Sequence, residues 1–108
     1  MPPHDLLPGT LDMLVLKTLT AEPMHGYGIA RHIERLSDDV LKVEEGSLYP
    51  ALQRMRQRGW ITAAWGKTAN NQRARFYTLT AAGRRQLGQS HSAFSDVIAA
   101  ISRVMRTS

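Results

Sequence analysis

Residues 46–85 combine a concentrated positive charge with a fixed order of structural signals, namely helix, strand, polar loop and strand. This stretch contains no Asp or Glu. Its cations are Arg54, Arg56, Arg58, Lys67, Arg73, Arg75, Arg84 and Arg85. The rest of the chain holds six of the 14 Lys and Arg residues and all nine Asp and Glu residues, so the formal net charge of +5 is concentrated in one region. Such a field is typical of nucleic-acid-binding proteins. A solvated basic surface without a ligand is the alternative.

The length and composition favour a small binding module. A chain of 108 residues can form one domain with a modest core, but not an elaborate catalytic cleft as well. The absence of Cys excludes disulfides and thiolate metal sites and fits a reducing compartment. The first nine residues lack the signals of a secreted protein, and no stretch reaches the roughly 20 apolar residues of a membrane span. We therefore expect a cytoplasmic protein.

Two helices are predicted before the basic stretch. Thr10 is expected to be the N-cap of the first helix, which Pro23 should end. The second helix, at residues 25–36, has an apolar stripe and a polar face. Gly26 and Gly28 weaken its start because glycine is a poor helix former. The alternative is that these glycines allow another helix to approach closely.

A third helix carries the strongest candidate for DNA readout. Ser47 is predicted to be its N-cap, and Pro50 is predicted to lie in its first turn. At about 100° per residue, the face opposite its apolar side is polar and basic. That face carries Tyr49, Gln53, Arg54, Arg56 and Gln57. With Ser47 and Pro50, these residues form the predicted recognition surface for the major groove. An ordinary exposed helix face is the alternative.

A β-hairpin is predicted to follow this helix. Gly59 ends the helix, and strands are expected at residues 60–65 and 74–79, joined by a polar loop. The predicted fold class is therefore mainly α with a small β-hairpin, a winged helix-turn-helix whose hairpin is the wing. Lys67, Arg73 and Arg75 are expected to contact phosphates or the minor groove. Asn70 and Asn71 are further candidate contacts, or they simply form the turn.

The C-terminal segment predicts a dimerisation helix with Thr80 as its N-cap. Apolar positions recur there at alternating spacings of four and three, as in a helix that packs against a partner. These seam positions are Leu87, His91, Phe94, Ile98, Ile101 and Met105. A twofold dimer would present two recognition helices roughly 34 Å apart and would read a palindromic site. The alternative is that the helix folds back onto its own domain.

Other chemistry has little support in the sequence. The four His residues include no HExxH pair, Glu44 and Glu45 lack a nucleophile motif, and there is no phosphate-binding glycine loop. We therefore predict no catalysis, no metal and no cofactor. Trp60, Trp65 and Phe94 either belong to the core or line a pocket for a small hydrophobic or aromatic effector.

Three motifs resemble the PadR family of winged-helix transcriptional regulators. They are His-Gly-Tyr-Gly-Ile at residues 25–29, Gly-Ser-Leu-Tyr-Pro-Ala-Leu at residues 46–52, and Phe-Tyr-Thr-Leu-Thr-Ala-Ala-Gly-Arg at residues 76–84. The resemblance implies a dimeric DNA-binding protein, usually a repressor, whose affinity for a palindromic operator is lowered by a small molecule.

We therefore expect a flexible lead at residues 1–9, a winged-helix DNA-binding domain at residues 10–80 and a dimerisation helix at residues 81–108. Two rival functions remain, a winged helix that binds another protein and a basic protein that binds nucleic acid without sequence preference.

Overall fold

The computed structural model describes residues 9–107, which form four helices and one three-stranded antiparallel sheet. The elements are α1 (Thr10–Thr18), β1 (Met24–His25), α2 (Gly26–Leu36), α3 (Glu45–Gln57), β2 (Ile61–Lys67), β3 (Arg73–Leu79) and α4 (Ala81–Arg106). The predicted fold class, a mainly helical winged helix with a hairpin, is confirmed. Apart from Gly9, the predicted lead lies outside the described residues. None of the helices in residues 9–107 is both long and apolar enough to cross a membrane.

The first helix differs from its prediction at both ends. Gly9, with φ of 86°, is the N-cap, and no side chain caps the helix. The Gly9 carbonyl accepts from the Met13 N–H at 3.2 Å, so Thr10 is already helical and the prediction of Thr10 as N-cap was wrong. The helix ends at Thr18, whose hydroxyl donates to the Leu14 carbonyl at 2.8 Å. Pro23 instead directly precedes β1.

The third helix begins earlier than predicted. Its N-cap is Glu44, whose carbonyl accepts from the N–H groups of Ser47 and Leu48 at 3.0 and 2.9 Å. Ser47 is therefore inside the helix and is not its N-cap. Pro50 lies beyond the first turn, where its ring removes one intrahelical bond to Gly46. Gly46 is exposed, so water can satisfy its carbonyl.

The sheet contains one strand that the sequence did not predict. Strand β1 pairs with β3 on the side away from β2, with Met24 opposite Tyr77 and His25 opposite Phe76. Two residues are too few to show an alternating pattern. The hairpin strands also extend farther toward the loop than predicted, since the ladder continues to the Lys67–Arg73 pair. The connecting loop is therefore only residues 68–72.

The core lies between the three short helices and one face of the sheet. Its buried side chains come from α1 and the residue after it, from α2 and α3, and from the hairpin. They include Val15, Leu16, Leu19, Ile29, Ile33, Leu48, Ala51, Leu52, Met55, Ile61 and Tyr77. The apolar side predicted for α3 is thus buried, and the opposite side faces solvent.

The start of α4 is fixed to the turn that follows α3. The Thr80 hydroxyl accepts from the Gly83 N–H at 3.0 Å, which confirms the predicted N-cap, and donates to the Gly59 carbonyl at 2.6 Å. Gly59, with φ of 77°, ends α3 as predicted. A Cβ atom at Gly83 would collide with the Trp60 carbonyl oxygen, so only glycine fits this contact.

We expect Gly83→Ala to lower the free energy of unfolding by about 1–3 kcal/mol, because the new methyl group collides with backbone that cannot move freely. Gly88→Ala is the matched control on the same helix, since nothing lies within 4 Å of its Cβ position. That substitution should stabilise the helix by up to about 1 kcal/mol. Urea unfolding of both variants measures the difference. Equal changes in the free energy of unfolding for the two variants would show that the Gly83 contact does not constrain the junction between α3 and α4.

Candidate nucleic-acid interface

One groove is formed between the exposed side of α3 and strand β3. It is lined by Tyr49, Leu52, Gln53, Arg56, Arg75 and Tyr77. The structure therefore brings three predicted α3 residues together with one predicted residue of the hairpin. Gln57, Pro50 and Ser47 are exposed outside this groove. The groove wall offers amide, phenol and guanidinium groups, which can donate hydrogen bonds to phosphate oxygens and base edges.

The side chain of Arg54 points to a different part of the molecule. Its Nη2 donates to the two carboxylate oxygens of Asp12 at 3.1 and 3.4 Å, joining α3 to α1. Arg54 is half exposed, so this ion pair contributes no more than about 1 kcal/mol to stability. Arg54 does not line the groove, because this distant acid holds it on the α1 side of the helix.

Tyr49 is held against the first residue of α2. A Cβ atom at Gly26 would lie 2.8 Å from the Tyr49 hydroxyl oxygen and 3.0 Å from its ring, so the missing side chain makes room for Tyr49. At Gly26 the close approach is therefore made by a side chain of α3, whereas the nearest side chain at Gly28 is that of His25. The helix start itself is capped by His25, whose Nδ1 accepts from the Gly28 N–H at 3.0 Å.

The surroundings of Tyr49 keep its hydroxyl protonated. Partial burial, followed by the negative charge of Glu45 and a contribution from Tyr77, raises the pKa of Tyr49 above its ordinary value. The ring is nevertheless 45% exposed. Its hydroxyl is therefore a neutral donor at the edge of the groove, able to serve an anionic or carbonyl acceptor.

The hairpin carries the remaining predicted contacts. Lys67, Arg73, Asn70 and Asn71 are exposed, whereas Arg75 is half-buried. Asn71 has φ of 63°, and its N–H donates to the Thr68 carbonyl at 2.9 Å, so this residue forms the turn.

A second, larger groove of about 690 Å³ runs between the hairpin and the first turn of α2. Its lining includes Tyr27, Tyr49, Trp65, Asn70, Arg73 and Arg75. It shares Tyr49 and Arg75 with the groove beside α3, so the two grooves are parts of one surface. We call this surface, formed by α3, the start of α2 and the hairpin, the basic groove.

The cations of the basic groove are not neutralised within residues 9–107. The ion pairs there join Arg31 to Glu34, Lys42 to Asp39 and Arg54 to Asp12. None involves Arg56, Arg73 or Arg75, which line the groove, and none involves Lys67, which is exposed on the hairpin. Unpaired guanidinium groups on one concave surface concentrate a positive field that favours a polyanion. In the same range, no group of three or more His, Asp or Glu side chains could hold a metal ion.

The outer part of α4 exposes an apolar face. Leu87 packs on the core of its own domain, whereas Phe94, Ile98, Ile101 and Met105 are exposed. The sequence prediction missed Val97 and Val104, which are also exposed and broaden the stripe. Their spacing of four and three residues from Ile101 is a signal that could have found them.

A groove of about 520 Å³ lies between α1 and α4. It is lined by Met13, Leu14, Lys17, Leu87, His91, Phe94, Ser95, Ile98 and Ala99.

The sequence matches a known protein family and is similar to a protein from another bacterium. Residues 15–89 match the family model of the transcriptional regulator PadR-like family. Uncharacterized protein X from Lysinibacillus sphaericus is 24% identical over 93 residues, covering 86% of this chain and 85% of the relative.

The solved structures with this fold include a PadR family transcriptional regulator from Eggerthella lenta, which is 27% identical with a TM-score of 0.76 over 93% of this chain and 85% of the other. A PadR-like transcriptional regulator from Bacillus cereus is 22% identical with a TM-score of 0.78 over 93% and 95% of the two chains. Because the family model matches more than half of the chain, this protein belongs to the PadR-like family and is a DNA-binding transcriptional regulator.

Proposed function

We propose that this regulator is a cytoplasmic homodimeric repressor that binds a palindromic promoter operator and is released by a small hydrophobic or aromatic effector. The observation that carries this proposal is the basic groove, in which α3 and the hairpin present unpaired cations and neutral donors on one surface. Residues 10–80 would act as the DNA-binding domain, and residues 81–108 as the dimerisation helix.

The basic groove and the exposed α3 residues outside its lining suit two kinds of DNA contact. Tyr49, Gln53 and Gln57 are neutral donors on the exposed side of α3 and would read base edges in the major groove. Arg56 and the hairpin cations would bind phosphates, with Ser47, Pro50, Asn70 and Asn71 at the margins. We assign Arg54 to the α1–α3 contact with Asp12 and not to DNA, since its charge is already paired.

The apolar face of α4 supports the dimer. Side chains such as Ile98, at 44% exposure, and Met105, at 77%, would leave water if two α4 helices paired. Apolar surface of this kind contributes about 25 cal/mol for each Å² removed from water. A twofold pair of α4 helices would place two α3 helices for successive turns of the major groove, which requires an inverted repeat in the operator.

Repression and release by an effector are the remaining parts of the proposal. A dimer bound across a promoter would occlude it from other proteins. The groove between α1 and α4 is mostly apolar and has the volume of a small-molecule site. A hydrophobic or aromatic molecule there would touch α4 beside the proposed seam and would favour dimer geometries that fit DNA less well.

Selection of bound duplexes from a random pool tests the proposed function directly. An enriched inverted repeat with half-sites about one helical turn apart is expected. Binding of all duplexes with equal affinity would instead support a protein that binds without sequence preference. No measurable binding would support a protein-binding winged helix.

For base readout, we expect Gln53→Ala to weaken binding to the selected operator by about 1–3 kcal/mol while leaving binding to random duplex nearly unchanged. The reason is that base-edge contacts distinguish sequences, whereas phosphate contacts do not. Titration of both duplexes by fluorescence anisotropy measures the two affinities. Equal losses on both duplexes would contradict the assignment of Gln53 to base readout.

For backbone contacts, Arg56→Ala and Arg54→Ala form a matched pair, because each removes one positive charge from the same helix. Arg56→Ala should weaken binding to every duplex and reduce the slope of log K against log salt by up to about 0.9 for each phosphate that is no longer neutralised. Arg54→Ala should leave that slope nearly unchanged, since Asp12 already pairs with its guanidinium. The same change in slope for both variants would mean that binding depends on the net charge of the protein and not on the position of a cation in the basic groove.

For the dimer, Ile98→Glu should yield a folded monomer with steeply reduced operator affinity. The substitution would bury a carboxylate in each chain beside its twofold mate, a cost of several kcal/mol that dissociation removes. Ser92→Glu adds the same charge to an exposed position on another side of α4 and should remain dimeric. Sedimentation velocity and thermal melting distinguish the outcomes. A dimeric Ile98→Glu variant would show that this face is not the interface.

A further inference from the structure

Trp65 is a large aromatic side chain that the core does not use. It lies on β2 on the same side of the sheet as the buried Ile61, but closer to the loop, and it is 59% exposed. The hairpin register places it directly opposite Arg75, and the next pair on this face is Lys67 and Arg73. Cross-strand and diagonal neighbours on one face lie within reach of each other, so both arginines can meet the ring.

Both guanidinium groups lie against this ring. The Cζ atom of Arg73 is 4.4 Å from the ring centroid of Trp65, and that of Arg75 is 5.7 Å from it. Both distances fall within the roughly 6 Å over which a cation is attracted by an aromatic ring, and tryptophan is the strongest such ring. The Nε atom of Arg75 is buried and has no hydrogen-bond partner within residues 9–107. The indole therefore holds two like charges close together without a carboxylate between them.

A ring and a carboxylate hold an arginine in different ways. A carboxylate occupies the in-plane N–H donors of the guanidinium and cancels its charge. A stacked ring contacts the flat face and leaves these donors and the charge available. Arg54, which pairs with Asp12, is an example of the first arrangement in the same protein. In the hairpin, Arg73 and Arg75 lie against the Trp65 ring and make no ion pair within residues 9–107, so their charges stay available to an external anion.

We propose that Trp65 is a positioning residue that holds the guanidinium groups of Arg73 and Arg75 in place for phosphates of the DNA backbone. The inference rests on the proposed function of the basic groove and adds a residue that carries no charge itself. A free arginine side chain must lose rotamer freedom when it binds a phosphate. Stacking on Trp65 restricts the side chain before DNA arrives, so less freedom is lost on binding.

This role predicts a loss of affinity without a loss of charge. Trp65→Ala should weaken binding to operator and random duplexes alike, by about 2- to 5-fold for each of the two arginine contacts, or about 4- to 25-fold per subunit, if each contact is worth what exposed cation–π pairs usually contribute. The salt slope should stay close to that of the wild type, because no cation is removed. Trp65→Phe keeps an aromatic ring and should retain most of the affinity. Thr62→Ala, on the opposite face of β2, is the control and should bind like the wild type.

A double-mutant cycle separates positioning from direct contact. If Trp65 acts through the arginines, Trp65→Ala should cost clearly less in a chain that already carries Arg73→Ala and Arg75→Ala. If the indole itself contacts DNA, for instance as an apolar wedge in the minor groove, the cost should be the same in both backgrounds. Equal costs would overturn the positioning role.

The stack can also be tested in the free protein by NMR. The δ-methylene protons of Arg73 should have upfield chemical shifts in the wild type and in Trp65→Phe, because an aromatic ring lies beside them. Their chemical shifts should return to ordinary values in Trp65→Ala. Ordinary chemical shifts for these protons in the wild type would overturn the inference without any measurement of DNA binding. Unchanged affinity of Trp65→Ala, with normal binding by the wild type, would overturn the inference alone. If the wild type binds no duplex, the proposed function fails and the inference fails with it.

Discussion

The contact between Gly83 and the backbone of Trp60 is the constraint on which the arrangement of the functional surfaces depends. At this point the end of α3, the start of β2, the end of β3 and the start of α4 meet. Ile61 is opposite Leu79 in the sheet, and the Thr80 N–H donates to the Trp60 carbonyl at 3.1 Å. The Trp60 N–H in turn donates to the Met55 carbonyl at 3.0 Å, closing the last turn of α3. The direction of α4 relative to α3 is thus set by backbone atoms, which side-chain motion cannot easily change.

The strongest local signals in the sequence predicted the fold well. The hairpin and the last helix were predicted because turn residues and apolar spacing agree over many positions. The helix starts were predicted less well, since a cap depends on backbone geometry as well as on residue type. Thr80 accepts a hydrogen bond as its type suggests, whereas Glu44 and Gly9 cap their helices without a side-chain bond. His25 does cap α2 with its side chain, although histidine is not among the residues preferred there.

The candidate site was predictable only as far as one element could be considered alone. The projection of α3 at about 100° per residue places Tyr49, Gln53 and Arg56 outward, and the structure brings them together in one groove. The same projection could not detect the pairing of Arg54 with Asp12, because these residues are 42 positions apart in the chain. The contact of Tyr49 with Gly26 is long-range in the same sense, whereas the contacts of Arg73 and Arg75 with Trp65 depend on the pairing of β2 with β3. Each depends on how elements pack, which local patterns do not encode.

The basic groove and the apolar face of α4 differ in how far contacts within one chain hold their side chains in place. On the hairpin and α3, side chains are held by contacts within one chain, so the basic groove exists before any partner binds. On the outer part of α4, the apolar face is exposed and is covered by none of residues 9–107. Because the first turn of α4 is fixed by Gly83, a ligand between α1 and α4 could not rotate the helix freely at its base. In the proposed dimer, such a ligand would act mainly by changing how the outer part of α4 meets the α4 helix of the second copy. A small change of tilt there, carried along a helix about 39 Å long, would alter the separation of the two α3 helices while leaving each basic groove intact.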